Sequence, residues 1–138
     1  MIKEIFVRSR KDMKQESYRI SEKSVIISIS DIDKDRIVFP VNSDILDILS
    51  LTFEDWDDPD DKTCISELDA EKIMNFVKRW NTKNYDVNLY VNCEAGQSRS
   101  AGVAAAISKF LFGDDSWFFK TKTPNMLCYR RVLEQLVK

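Results

Sequence analysis

Short apolar runs rich in β-branched residues recur along the chain and predict strands. Ser24–Ser30 reads SVIISIS and Val87–Val91 reads VNLYV, and both have the character of strands inside a sheet. Ile2–Val7 and Arg36–Phe39 are weaker and predict short strands, the first of them at a sheet edge. The run Ile45–Phe53 is apolar and ambiguous, but its last four residues alternate, which predicts a strand there.

Helical periodicity is clearest over Ser66–Trp80. The apolar positions of this segment fall on one helix face and predict packing against the core: Ile73, Phe76, Val77 and Trp80. Ser66 and Asp69 have the spacing of a capping box, although Asp is shorter than the usual Glu.

Two further helices are predicted in the second half of the chain. One runs from about Arg99 to Phe112 and ends at Gly113, and the other is opened by Thr123-Pro124 and runs to Val137. Segment 11–19 is polar and predicts a loop, and segment 114–122 predicts a loop or short helix. Strands and helices are mixed, so we expect one α/β domain over 1–138. Its small, twisted, mostly parallel sheet is flanked by helices on both faces.

Composition excludes several classes of protein. The 138 residues fit one domain, and the net charge of −2 gives no basis for broad nucleic-acid binding. No apolar run approaches a membrane span and no secretory core is seen, so we expect a cytoplasmic protein without membrane association. Histidine is absent, which removes Ser-His-Asp and Cys-His catalysis and the HExxH zinc sites.

The chemistry is concentrated in the segment from Leu89 to Ala106, LYVNCEAGQSRSAGVAAA. A strand leads into a short loop, and small residues then begin a helix. In this geometry the loop N–H groups and the helix N-terminus converge on one point and bind anions. Cys93 opens the loop and Arg99 closes it, with five residues between them.

Each residue type in this loop suits a tetrahedral dianion held over a nucleophile. Cysteine attacks as its thiolate, a form that convergent N–H groups and a neighbouring arginine favour. Arg99 offers a planar fork that matches two phosphate oxygens, and Gly96 accepts the positive φ that inward-pointing amides often need. Ser100 is placed to donate to the sulfur. The predicted phosphate-binding residues are Glu94, Ala95, Gly96, Gln97, Ser98 and Arg99.

Cys, five residues, Arg and then Ser, with Gly three positions after the Cys, resembles the signature loop of the protein tyrosine phosphatase superfamily, in its dual-specificity branch. The resemblance covers roughly Ser24 to Val137 but is specific only near Cys93. It implies a thiophosphate intermediate on Cys93, without metal or cofactor, because arginine and amides carry the charge. A phosphorylated protein or small aryl phosphate is the implied substrate, with phosphate or sulfate bound in the loop. Asn92 departs from the pattern, where the family usually has His, so we expect weaker support for the thiolate.

Without histidine, a carboxylic acid is the natural proton donor to a leaving oxygen. The family supplies an Asp from a mobile loop upstream of the Cys, and Phe53-Glu54-Asp55 resembles that loop. By this match Asp55 is the general acid, although its separation from Cys93, 93 − 55 = 38 residues, is long for compact members. Asp57 is the second choice, and Asp60 would suit a shorter spacing.

Two alternatives stay open at the level of sequence. Asn92 also fits a phosphate-binding pseudophosphatase that holds a phosphorylated partner without turnover. Cys64 and Cys128 are most simply small buried residues, but either is also able to form a disulfide with Cys93 under oxidation, as in some members of the family. Because Glu94 is acidic and the loop has no lysine, we expect phosphotyrosyl substrates to be preferred over phosphoinositides.

Overall fold

Four parallel strands form the centre of the fold. The computed structural model describes residues 1–138. The strands are β1 (Ile2–Ser9), β2 (Ser24–Ser30), β3 (Ile45–Thr52) and β4 (Val87–Cys93). The helices are α1 (Arg10–Glu16), α2 (Glu67–Asn81), α3 (Arg99–Phe112), α4 (Ser116–Thr121) and α5 (Met126–Leu136).

The strand order is β1-β4-β2-β3, so β4 and β2 are the inner strands. Every residue of these two strands is buried, as expected for a parallel sheet covered on both faces. Ser28 lies opposite Asn92 between β2 and β4, and Ser9 lies opposite Cys93 between β1 and β4. The predicted position of β1 at a sheet edge is confirmed.

Apolar side chains cover the two faces of the sheet unequally. One face carries the main core of 28 buried residues, to which α2, α3 and α5 contribute. The other face carries a cluster of five, in which Met13 of α1 packs with Ile20, Ile26, Ile37 and Tyr90. Helices therefore lie on both faces, and the predicted fold class is confirmed.

The helix signals of the sequence are largely confirmed. Ser66 and Asp69 form a capping box at the start of α2, whose buried face includes Ile73, Phe76, Val77 and Trp80. α3 runs over Arg99–Phe112 as predicted, and Gly113 ends it with a φ of 75°.

Three predictions need correction. Segment 11–19 was expected to be a loop, but α1 occupies most of it, with Ser9 as its N-cap. Arg36–Phe39 is no strand: Ile37 and Phe39 pack over the small cluster outside the sheet. The last helix begins at Met126 with Asn125 as its N-cap, so Thr123-Pro124 precedes the helix instead of opening it.

The ambiguous run Ile45–Phe53 is a strand over nearly its whole length, as β3. None of the helices combines the length and apolar character needed to cross a membrane.

Candidate active site

The carboxyl ends of the four parallel strands meet at one edge of the sheet, the edge at which ligands bind in α/β folds. β4 ends there at Cys93 and α3 begins at Arg99, so the Cys93–Arg99 loop connects a buried strand directly to a helix. Both side chains are buried, with 2% of Cys93 and 4% of Arg99 exposed.

Close packing against the end of β1 fixes one side of the Cys93–Arg99 loop. Gly96 has a φ of 69°, and a Cβ at this position would lie 2.6 Å from the Ser9 backbone nitrogen and 2.7 Å from the Arg8 carbonyl carbon. The Arg10 N–H donates to the Glu94 carbonyl at 3.1 Å. Glycine is therefore required here both for its backbone conformation and for its lack of a side chain.

The segment before α5 fixes the other side of the loop. The Thr123 N–H donates to the Gln97 carbonyl at 3.1 Å, and the Asn125 N–H donates to the Ser98 carbonyl at 2.9 Å. By contrast, the five backbone N–H groups from Glu94 to Ser98 donate to no acceptor within the protein. Three of the loop's carbonyls thus accept hydrogen bonds while its five amides are free, an arrangement that suits an anion.

Arg99 is held by one corner of its guanidinium group. Its Nη1 donates a hydrogen bond to the Phe53 carbonyl at 2.8 Å and forms an ion pair with Asp31, whose Oδ1 lies 2.7 Å away. Its Nε is buried and has no partner, and Nη2 forms no hydrogen bond within the protein. The Nε–Nη2 edge is the one with which arginine binds two oxygens of a phosphate.

The Cys93 sulfur has a polar neighbour. Cys93 Sγ lies 3.0 Å from Ser100 Oγ, and both groups are buried. A hydroxyl at this distance is able to donate a hydrogen bond to a thiolate, which stabilises the charged form of the sulfur.

Asp55 is connected to both the Cys93–Arg99 loop and α5. Its Oδ1 accepts hydrogen bonds from Ser98 Oγ at 2.7 Å and from Asn125 Nδ2 at 3.0 Å. Asn125 Nδ2 also donates to the Trp56 carbonyl, and its Oδ1 accepts from the Cys128 N–H as the N-cap of α5. One side chain thus caps a helix and anchors the acidic loop.

Cys93, Arg99 and Asp55 line a single pocket of about 400 Å³, together with Asp31. Asp57 and Asp60, the other candidate acids, do not line this pocket. Asp55 is therefore the one of the three candidates that the structure brings next to the cysteine and the arginine.

An ion-pair network surrounds Glu94. Lys34 Nζ lies 3.0 Å from Glu94 Oε1 and 3.8 Å from Asp31 Oδ2. The hydrogen bond to Glu94 raises the pKa of Lys34, so this lysine keeps its charge. Since Asp31 also pairs with Arg99, the network links the loop after β2 to both ends of the Cys93–Arg99 loop.

Asn92 precedes Cys93, at the position where the departure from the usual histidine predicts weaker support for the thiolate. Asn92 is fully buried, and neither its Nδ2 nor its Oδ1 has a partner in the protein. Ser28 Oγ, on the neighbouring strand, is also buried without a partner. Ser100 is therefore the side chain that makes a polar contact with the Cys93 sulfur, and the Asn92 amide forms no hydrogen bond in the protein.

The other two cysteines are buried and free. Burial raises the pKa of both thiols, and the charge of Asp55 adds to the effect at Cys128. Both groups therefore stay protonated and poorly nucleophilic at neutral pH.

Sequence reasoning missed Asp31 and Asn125, the partners of Arg99 and Asp55. A signal existed for Asp31: it follows a buried strand directly, and in a parallel sheet such residues reach the same edge as the end of β4. Asn125 carried only the weak signal of an Asx residue before a helix, which the neighbouring Thr123-Pro124 obscured.

The fold is similar to that of two solved structures. A crystal structure of human DUSP28 matches with a TM-score of 0.59 and 15% identity, covering 96% of this chain and 91% of that one. A crystal structure of DUSP15 matches with a TM-score of 0.56 and 20% identity, covering 94% of this chain and 81% of that one. Both are dual-specificity phosphatases. This chain has the dual-specificity phosphatase fold.

The resemblance predicted from the signature loop is thereby confirmed at the level of fold. No protein-family model and no curated protein matches the sequence.

Proposed function

We propose that this protein is a cysteine-dependent phosphomonoester hydrolase that acts on phosphorylated protein, as a tyrosine or dual-specificity phosphatase. The observation that carries the proposal is a matched set of unused donors. Five loop amides and the Nε–Nη2 edge of Arg99 have no acceptor in the protein, and Glu94, Ala95, Ser98 and Arg99 line the same pocket as Cys93. These donors are suited to the equatorial oxygens of a phosphoryl group, whose charge must be stabilised during transfer.

In the first step, Cys93 Sγ attacks phosphorus as a thiolate and the bond to the ester oxygen breaks. Asp55 gives its proton to the departing oxygen, so the leaving group departs as a neutral alcohol or phenol. The product is a thiophosphate on Cys93. Ser100, which lies 3.0 Å from the sulfur, donates a hydrogen bond to the thiolate before attack and again when it leaves.

In the second step, a water molecule attacks the thiophosphate and gives a proton to the Asp55 carboxylate. The sulfur–phosphorus bond breaks, inorganic phosphate leaves, and Cys93 returns as a thiolate. The loop amides and Arg99 hold the phosphoryl oxygens through both steps, so the reaction needs no metal ion.

Asp55 is suited to this exchange of protons by the way it is held. Both of its hydrogen bonds are to Oδ1, from Ser98 and Asn125, and Oδ2 forms none. Oδ2 is therefore the oxygen available to carry the proton, while Oδ1 fixes the orientation of the carboxyl group.

The alternative is a phosphate-binding pseudophosphatase, and one observation favours it. Asn92 precedes Cys93, and its buried amide has no hydrogen-bond partner in the protein, so the support that an imidazole usually gives is missing. In this function the loop would bind a phosphorylated partner without cleaving it.

Turnover of an aryl phosphate separates the two functions. The proposal expects phosphate release by the purified protein, loss of release in Cys93→Ser, and retained binding of inorganic phosphate by that variant in calorimetry. Binding without any turnover in the unmodified protein would establish the pseudophosphatase. Turnover that persists in Cys93→Ser would exclude Cys93 as the nucleophile.

A further inference from the structure

A second pocket lies directly beside the Cys93–Arg99 loop. It has a volume of about 370 Å³ and is lined by Arg10, Lys11 and Lys14 of α1, with Gln15 and Glu94. Glu94 also lines the pocket over Cys93, so the two pockets share this residue. Glu94 follows Cys93 in the chain, and consecutive Cα atoms are about 3.8 Å apart. Because Glu94 lines both pockets, a group bound in the second pocket would be a direct neighbour of a group bound over Cys93.

The cations of the second pocket are not neutralised. Lys11 and Lys14 are exposed and take part in none of the ion pairs of the protein. Arg10 donates to two neutral acceptors, Ser30 Oγ at 3.3 Å and the Asp35 carbonyl at 2.7 Å. These bonds and its backbone bond to Glu94 fix its position without removing its charge.

The residues that line the second pocket include three cations and one carboxylate, so their formal net charge is 3 − 1 = +2. The whole chain, by contrast, has a net charge of −2. The remaining carboxylate, Glu94, is already paired with Lys34. The pocket is thus a local region of positive potential on an acidic protein, which attracts anionic groups.

The other side of the active-site pocket has the opposite charge. Glu54 and Asp55 line it, and the loop continues with four further aspartates: Asp57, Asp58, Asp60 and Asp61. A second negative group on a substrate would be repelled on that side. Toward α1 the pocket lining offers three cations and the paired Glu94. The carboxylates of the same helix, Asp12 and Glu16, do not line this pocket, and Glu16 is paired with Arg8, so the charges favour this direction.

We propose that the pocket lined by Arg10, Lys11 and Lys14 is a second anion subsite, which binds an acidic or phosphorylated side chain next to the phosphorylated residue of a peptide substrate. The inference rests on the proposed phosphatase function. It also revises the expectation that the acidic Glu94 disfavours additional negative charge, because Lys34 pairs with Glu94 and α1 supplies three cations.

A peptide fits this charge pattern better than a membrane lipid. The acidic loop that follows Phe53 borders the active-site pocket and would face the surface of an anionic bilayer. An extended peptide needs to bring only one neighbouring side chain to α1 and otherwise avoids the acidic loop.

Three matched phosphotyrosyl peptides test the subsite. The first has alanine on both sides of the phosphotyrosine, the second has aspartate before it, and the third has aspartate after it. We expect at least one acidic peptide to show about five- to tenfold higher kcat/KM at low ionic strength, an advantage that 0.5 M salt (about a 4 Å Debye length) largely removes. In Lys11→Ala/Lys14→Ala the acidic peptides should lose this advantage in kcat/KM over the alanine peptide. The control Lys72→Ala/Lys109→Ala, which removes two exposed lysines elsewhere, should keep the advantage.

Equal kcat/KM for the three peptides, or an advantage that survives in Lys11→Ala/Lys14→Ala, would overturn the subsite. Faster release from a soluble, short-chain bisphosphorylated inositol lipid than from either acidic peptide, with the same lysine dependence, would overturn the peptide assignment. If no substrate is cleaved, the proposed function fails by itself, and binding of the same three peptides to the Cys93→Ser protein decides the subsite separately.

Discussion

Among single residues, Asp55 shows how much the proposed chemistry depends on one side chain. It is exposed, yet its Oδ1 accepts hydrogen bonds from Ser98 and Asn125. Asp55→Asn keeps the size and the acceptor oxygen but removes the transferable proton. We expect kcat to fall by a factor of about 10² to 10⁴. The loss should be greater for an alkyl phosphate than for a nitrophenyl phosphate, whose leaving group needs no proton.

Asp57→Asn is the matched control, because Asp57 belongs to the same loop but does not line the pocket. Its kcat should stay within about twofold of the unmodified protein. A large loss of kcat in Asp57→Asn with none in Asp55→Asn would show that our proposal names the wrong residue as the general acid.

At the residue scale, the sequence was informative where a motif fixes both residue type and spacing. Cys93, Gly96 and Arg99 lie in one continuous loop, so their relative positions follow from local geometry. Asp31 is 68 residues from Arg99 (99 − 31 = 68), and their 2.7 Å contact depends on how two strands pair in the sheet. Pairing of this kind is set by long-range packing, which local patterns do not describe.

At the scale of elements, the start of α5 links stability to the site. Asn125 caps α5 through the Cys128 N–H and anchors Asp55 and Trp56 through its Nδ2. Asn125→Ala should therefore lower the free energy of unfolding by about 0.5–2 kcal/mol and also reduce kcat about tenfold. Chemical denaturation and aryl phosphate turnover measure the two effects.

Ser66→Ala provides the comparison, because it removes the N-cap of α2 without touching the pocket. A similar loss of stability with unchanged kcat is expected. If the two variants lose activity equally, the effect of Asn125 on the site is only an effect of general destabilisation.

The turn at Gly96 supports a second prediction at this scale. Gly96→Ala would place a Cβ 2.6 Å from the Ser9 nitrogen, so the Cys93–Arg99 loop must move away from β1. We expect turnover to fall by about 10²-fold, because displacements of about 1 Å have such effects on positioned groups. Gly113→Ala has a similar φ but nothing within 4 Å of the new Cβ. It should cost about 1 kcal/mol of stability and leave turnover unchanged.

Elements with many buried positions were predicted well, and those with few were not. α2 buries five residues at helical spacing and was identified with its cap. α1 buries only Met13, so its sequence has no periodicity to detect. Arg36–Phe39 contains three consecutive apolar residues, of which Ile37 and Phe39 pack on the small cluster, and a short apolar run of this kind is also typical of a strand.

For the whole molecule, buried thiol groups that keep their protons in the folded state make the free energy of unfolding depend on pH. Burial raises the pKa of Cys64 and Cys128, and burial together with Asp115 raises the pKa of Tyr129 to about 12. In the unfolded chain, cysteines lose their protons near pH 8.5. The folded state retains them, so stability is complete below about pH 8.5 and falls as the pH rises above it.

Urea unfolding at pH 7.5 and pH 10 measures this fall. Each retained proton lowers the free energy of unfolding by up to about 1.4 kcal/mol per pH unit above the unfolded value. Cys128→Ala removes one such group and should show a smaller decrease between the two conditions. An identical decrease in the variant would show that Cys128 does not contribute to the alkaline transition.

The pairing of β1 has a consequence for protein synthesis. β1 has β4 as its only neighbour in the sheet, and Ile2 pairs with Val87, which is made 87 − 2 = 85 residues later. At roughly 5–20 residues per second, the ribosome needs on the order of 4 to 17 s to supply that partner. Until then the apolar residues of β1 have no sheet partner and are a potential site for chaperones. Gly96, which is made 96 − 87 = 9 residues after Val87, packs against the backbone at the end of β1. The Cys93–Arg99 loop is therefore completed late in synthesis, when β1 joins the sheet.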